Sequence, residues 1–210
     1  MICDCKKINF RTFKMLSYWE NKNITSDEKY ILNFLKKKNL INKKILHIGI
    51  GNSYLEKSLK NKILHIDGIT ISGAELDFAR KLNLSFYKSF LIDKHNYDLI
   101  KKFKTNYYDI IIDNNLKSYS CCNKSFNFFF KSLYKMLKKN GYIITSQKGM
   151  KWYKKLEVKK SFNFKNFFYN KVKEVPGSKK NKLSVFDCMK LSCIYSLKIT
   201  LLKDLVIFQK

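Results

Sequence analysis

The stretch Lys44 to Ser53, KILHIGIGNS, constrains the chain more than any other. A short apolar run, Ile45-Leu46-His47-Ile48, stops at Gly49-Ile50-Gly51-Asn52-Ser53, and the amphipathic Tyr54 to Leu59 follows with no spacer. This order spells a buried strand, a tight turn and a helix. Glycine lets the backbone turn sharply and approach a ligand with no Cβ in the way. The first N–H groups of the following helix have no partner within it and favour electron-rich ligands. The turn is not the G-x-G-x-x-G dinucleotide fingerprint, because the third glycine is missing and Ser53 stands near its place.

The same alternation continues on both sides of the turn. Thr25-Ser26-Asp27-Glu28 places a hydroxyl cap before two acids, and Tyr30, Ile31, Phe34 and Leu35 make one apolar helix face as far as Lys38. Lys62 to Ser72 predicts a second strand, and Ser72 caps a helix opening at Gly73. Leu84 to Lys88 predicts a third strand, and Tyr97, Ile100 and Phe103 give helical spacing over Asn96 to Lys104. Tyr107 to Asp113 is a continuous apolar run of the kind buried on both faces. Phe126, Phe129, Phe130, Leu133 and Leu137 predict a long amphipathic helix, with Lys138 and Lys139 in its last turn and Asn140-Gly141 as its stop. Tyr142 to Ser146 is then the fifth strand. Ser184 caps a last helix, and Leu197–Leu202 and Leu205–Gln209 are too close for anything but an antiparallel hairpin. The strand–helix alternation predicts an α/β fold built on a mostly parallel sheet, with the antiparallel hairpin at its C-terminal end. Residues 1–43 read as an N-terminal helical segment and 44–210 as the main domain. Residues 150–183, rich in aromatics and lysines, read as a flap over the sheet end.

Composition matters here chiefly through charge. The formal net charge is +27, from 43 Lys and Arg against 16 Asp and Glu, which invites a nucleic-acid partner. The only arginines are Arg11 and Arg80, whereas nucleic-acid readers favour arginine for bidentate contacts. The lysines are scattered along the chain, and their abundance beside Asn, Ile, Phe and Tyr fits a drift toward A/T-rich codons. A solvated basic surface is therefore favoured over a dedicated nucleic-acid face. No uninterrupted apolar run reaches membrane-spanning length, and the first thirty residues lack a signal-peptide layout, so a cytoplasmic location is expected. Cys3, Cys5, Cys121, Cys122, Cys188 and Cys193 are expected to be reduced thiols, and no pairs lie at zinc-site spacing.

The wording of several elements resembles the class I methyltransferases that use S-adenosylmethionine. His47-Ile48-Gly49-Ile50-Gly51-Asn52-Ser53 is similar to the family's first motif. Gly68-Ile69-Thr70-Ile71-Ser72, with Glu75 and Ala79 after it, resembles the small-molecule branch that includes the cyclopropane fatty-acid synthases. Tyr108 to Asp113 resembles the family's fourth strand, and Leu137 to Ile144 its entry to strand five. The resemblance covers roughly residues 44–149 and 184–210. It implies a Rossmann-like, doubly wound sheet of seven strands, mostly parallel with a C-terminal antiparallel hairpin. It also implies S-adenosylmethionine as cofactor, with His47, Gly49, Gly51, Asn52, Ser53, Thr70, Ile71, Asp113 and Asn114 as the residues that hold it. His47 stands where the family has an acid, and Thr70 where an acid pairs with the ribose hydroxyls. Strand three lacks an acid near Ser89 and Phe90, Asp93 being a loose substitute.

Asp113 is the leading candidate for contact with the reacting groups, set against a plain role as a strand-end turn residue. His95 is a weaker candidate base, read as a surface histidine on a loop, while the mid-strand His47 and His65 read as satisfied core residues sooner than as functional ones. The expected function is methyl transfer to a small molecule or a glycan or lipid precursor. An RNA methyltransferase and an inactive binding protein that keeps the fold are the rivals. The oligomeric state is left open.

Overall fold

A computed structural model describes residues 24–95, 101–118, 120, 122–146 and 183–210. The aromatic segment 150–182, residues 1–23 and most of the helix expected over Asn96 to Lys104 lie outside them.

The elements run α1 (Ser26–Lys36), β1 (Lys44–Ile48), α2 (Tyr54–Ser58), β2 (His65–Thr70), α3 (Gly73–Lys81), β3 (Tyr87–Leu91), β4 (Tyr108–Asp113), α4 (Asn123–Met136), β5 (Leu137–Ser146), α5 (Val185–Tyr195), β6 (Lys198–Leu201) and β7 (Leu205–Gln209). They build one seven-stranded sheet in the order β3-β2-β1-β4-β5-β7-β6. Strands β1 to β5 pair in parallel, and β7 joins β5 and β6 antiparallel. This is the doubly wound sheet with a C-terminal hairpin that the sequence predicts.

Period-two alternation sends each strand's side chains to opposite faces. Leu46, Ile48, Ile111, Ile143, Val206 and Phe208 join one core with Phe126, Phe129, Phe130 and Leu133 of α4 and Leu191 of α5. Ile45, Ile110, Ile112, Ile144 and Ile207 join the other with Ile31 and Leu35 of α1 and Leu55 and Leu59 near α2. With both faces covered, the central strands must be apolar throughout, as β1 and β4 are. Helix α1 therefore shares a core with β1 rather than standing apart. Its start is a full capping box: Thr25 Oγ1 accepts from the Glu28 N–H, and Glu28 accepts from the Thr25 N–H at 3.0 Å.

Two departures from the sequence reading are the largest. Strand β3 begins at Tyr87 rather than Leu84 and runs to Leu91. It is an edge strand, half-covered, so its pattern carries little alternation. Helix α4 ends at Met136, one residue before its expected last apolar position, and β5 starts at once with Leu137. Asn140-Gly141 is thus not a helix stop. Asn140 does take a positive φ of 63°, but within β5, where its N–H donates to Lys210 O at 2.8 Å. A Cβ on Gly141 would lie 2.9 Å from Asp109 O, so glycine there serves close approach of two backbones. Among the described residues no helix is long and apolar enough to cross a membrane.

Candidate active site

The carboxyl ends of the parallel strands are where an open α/β sheet binds its ligand, at the point where strand order reverses. Here that point lies between β1 and β4, where Ile48 stands opposite Asp113. A cleft opens beside it, lined by Gly49 and Gly51 after β1, Thr70, Ile71, Ser72 and Glu75 after β2, and Asp93 and Lys94 after β3. Asp113 to Asn115 and Ser118 line its β4 side, and Thr25 and Glu28 of α1 close over it.

The glycine turn is bare where it meets the cleft. Gly49 has a φ of 80° and a Cβ built there would meet nothing within 4 Å. Ile50 points the other way, into the core, with its Cγ2 packed over Gly68. Asn114 and Asn115 each leave a buried side-chain carbonyl with no hydrogen-bond partner, and both residues line the cleft. Such orphaned acceptors are rare in folded proteins and fit a ligand bearing donors.

Charge singles out the cleft more sharply. The chain has only 16 acidic residues, yet four of them, Glu28, Glu75, Asp93 and Asp113, line this one cleft with Lys94 as the basic side chain. Against a formal charge of +27 on the whole chain, the cleft is a local acidic pit suited to a cationic ligand.

Each acid is held. Thr70 Oγ1 donates to Glu75 Oε2 at 2.5 Å and accepts from the Ser72 N–H at 3.0 Å, and the Gly51 N–H also supports Glu75. Burial pushes the Glu75 carboxyl up, against the pull of those hydrogen bonds. Asp93 is likewise raised by burial and accepts from the His95 N–H at 2.9 Å. Asp113 Oδ1 accepts from the Asn115 N–H at 2.9 Å and Oδ2 from Lys94 Nζ at 2.8 Å. Lys94 Nζ also donates to Asn115 O at 2.6 Å and Ser118 Oγ at 3.2 Å, over the Phe129 ring. Burial lowers its pKa, and Asp113 opposes that.

Gly49, Gly51, Thr70, Ile71, Asp113 and Asn114, six of the residues singled out in the sequence, come together in this cleft. His47, Asn52 and Ser53 do not line it. His47 sits at an odd register from Ile48 and so faces α2, where its Nδ1 meets Glu56 Oε1 at 2.5 Å with both side chains fully buried. Burial works to lower the His47 pKa, but the Glu56 carboxylate overcomes it and the imidazole is raised. Asn52 Oδ1 accepts from the Tyr54 N–H, turned along the backbone. Ser53 is fully buried with a φ of 51°, its hydroxyl 3.1 Å from that of Tyr87.

His95 is not the exposed loop residue expected. Its Nε2 carries the hydrogen donated to Ser118 O at 2.8 Å, its ring lies edge-on to Phe129, and its Nδ1 is buried without a partner. Burial, with the Lys94 cation beside it, pushes its pKa down to about 3. An imidazole so enclosed is badly placed to take a proton from a ligand.

Glu75, Lys94 and Glu28 are the charged groups that sequence reasoning did not place in the site. For Glu75 a signal existed, since it follows the Thr70-Ile71-Ser72 strand end by one helical turn. Lys94 offered none, because its partners lie 19 to 24 residues further on.

No family model and no curated protein matches this sequence. Solved structures do match in shape. The N-methyltransferase NodS from Bradyrhizobium japonicum WM9 has a TM-score of 0.60 at 12% identity, covering 90% of this chain and 98% of that one. A SAM-dependent methyltransferase from Aquifex aeolicus has a TM-score of 0.56 at 13% identity, covering 97% and 98%. The CurJ carbon methyltransferase has a TM-score of 0.55 at 13% identity, covering 87% of this chain. Against several longer matched chains this one spans only 30% to 52% of their length. At these identities the likeness is one of fold. The chain has a Rossmann-like, doubly wound fold, shared with these solved methyltransferase structures.

Proposed function

We propose that the chain is an S-adenosylmethionine-dependent methyltransferase acting on a small molecule or a glycan or lipid precursor. The observation that carries this reading is the acidic, glycine-floored cleft at the β1/β4 switch point of an otherwise strongly basic chain. Glu75, oriented by Thr70 and Gly51, is suited to accept hydrogen bonds from ribose hydroxyls, taking over from the missing strand-end acid. Ile69, Ile71 and Ile92 offer apolar walls to an adenine ring, with Asp93 beside them. Gly49 and Gly51 leave room for the amino-acid end, and Asp113 with Asn114 would face the sulfonium side.

When bound, the cofactor supplies a methyl group already activated for transfer. The protein's task is then alignment of an acceptor and exclusion of water, together with removal of a proton where the acceptor is a hydroxyl. Asp113 is held by Lys94 and the Asn115 N–H, so its part is orientation rather than proton abstraction. Titration calorimetry with S-adenosylmethionine and S-adenosylhomocysteine tests the reading. Saturable heat, weakened tenfold or more by Glu75→Ala, is expected. No heat at millimolar ligand would overturn it in favour of a non-catalytic protein with this fold.

A further inference from the structure

Lys94 is an odd resident for a cleft that otherwise collects acids. Its side chain is only 9% exposed, and its ammonium is committed to Asp113 Oδ2, Asn115 O and Ser118 Oγ. Asp113 in turn is 3% exposed, and it sits at the centre of the sheet edge, opposite Ile48 and next to the bare glycine turn. The Asp113 carboxylate at the end of β4 is thus already matched by a cation, which is tethered in turn to the loop after β4.

Resting on the cofactor reading above, we propose that Lys94 is a specificity-determining residue: the resident counter-ion of Asp113, which sets how far the cleft prefers a cationic ligand over its neutral counterpart. S-Adenosylmethionine carries a methyl group on sulfur, and with it one positive charge, that S-adenosylhomocysteine lacks. An unpaired buried carboxylate would attract the sulfonium strongly, because water screens little there. Paired with an ammonium at 2.8 Å, the same carboxylate presents little net charge, and the two ligands are held more evenly. Lys94 therefore moderates the grip on the charged form without contributing to recognition of the shared nucleoside.

The experiment is a charge cycle. Dissociation constants for both ligands are measured by calorimetry at pH 8 on the wild type, Lys94→Met, Asp113→Asn and the double variant. The ratio of the two constants is the readout, so any general loosening of the site cancels. Lys94→Met is expected to shift the ratio at least fivefold toward S-adenosylmethionine. Asp113→Asn is expected to shift it the other way, since the ammonium is left facing the ligand. The double variant, which removes both charges together, should return to within about twofold of the wild type. Should Lys94→Met fail to fold, Asp113→Asn and the double variant carry the test. Ratios unchanged in every variant, with both ligands weakened equally, would make Lys94 a plain clasp of the β4 loop and overturn the proposal. Absence of binding by the wild type would instead remove the cofactor reading beneath it.

Discussion

Substituting His47 and Glu56 in turn should give unequal results, although they are partners in one contact. Both side chains are fully buried, and Nδ1 and Oε1 lie 2.5 Å apart. In Glu56→Gln the imidazole keeps a hydrogen-bond acceptor and simply sheds its proton. An ordinary imidazole at pH 7 is already mostly neutral, so this costs only about 0.2 kcal/mol. In His47→Leu the carboxylate is left in an apolar site and must take up a proton to fold. For an ordinary glutamic acid at pH 7 that costs about 3.7 kcal/mol. His47→Leu should therefore be less stable than Glu56→Gln by roughly 3.5 kcal/mol at pH 7. At pH 5.5 protonating the carboxyl costs about 1.6 kcal/mol, while keeping the imidazole neutral now costs about 1.4 kcal/mol. The gap should close almost completely. Because all other titrating groups are common to the two variants, their contributions cancel in the difference. Urea denaturation of both proteins at the two pH values measures it. A gap that stays open at pH 5.5, or a Glu56→Gln variant that is the weaker at pH 7, would refute a charge pair at this place.

Other expectations are simpler. In the wild type the raised His47 contributes stability that is complete below its unfolded value of 6.5 and fades as pH rises through the higher folded value, so the chain should lose stability on the alkaline side. His95 works in reverse: its folded pKa of about 3 means stability is lost as pH falls below 6.5. At pH 5 the loss is about 2 kcal/mol, and His95→Asn should remove that acid limb from a pH series of denaturation midpoints. Gly49→Ala should weaken S-adenosylhomocysteine at least tenfold in calorimetry while costing about 1 kcal/mol of stability, since its Cβ enters the open cleft at a positive φ. Gly68→Ala should instead lower the melting temperature, through overpacking of about 1–3 kcal/mol, because the new Cβ would lie 2.7 Å from both Ile50 and Tyr87.

The parts of the fold that were legible in the sequence are those set by local chemistry. The Thr25, Ser72 and Ser184 caps all accept from the third residue on, and β1, β2 and β4 appear within a few residues of where their apolar runs lie. Asn140-Gly141 misled because a glycine that ends a helix and one that admits a neighbouring backbone look alike in sequence. The lining of the cleft was legible where backbone forms it, at Gly49 and Gly51, and at the strand ends, at Thr70 and Asp113. Asn52 and Ser53 do not line the cleft, because the face to which each turns has no local signature, and His47 is the paired core residue that its mid-strand place suggests. Lys94 was invisible because a pairing across 19 residues and two loops has no local signature.

Tyr87 reaches from the outermost strand across Gly68, where no Cβ blocks its ring, to the hydroxyl of Ser53 at the far end of the glycine turn. Fraying of that border strand would therefore be felt two strands inward. Amide hydrogens at Gly49 to Ser53 and at β3 should exchange with deuterium as one cooperative unit, and Tyr87→Phe should speed both while leaving β4 and β5 protected.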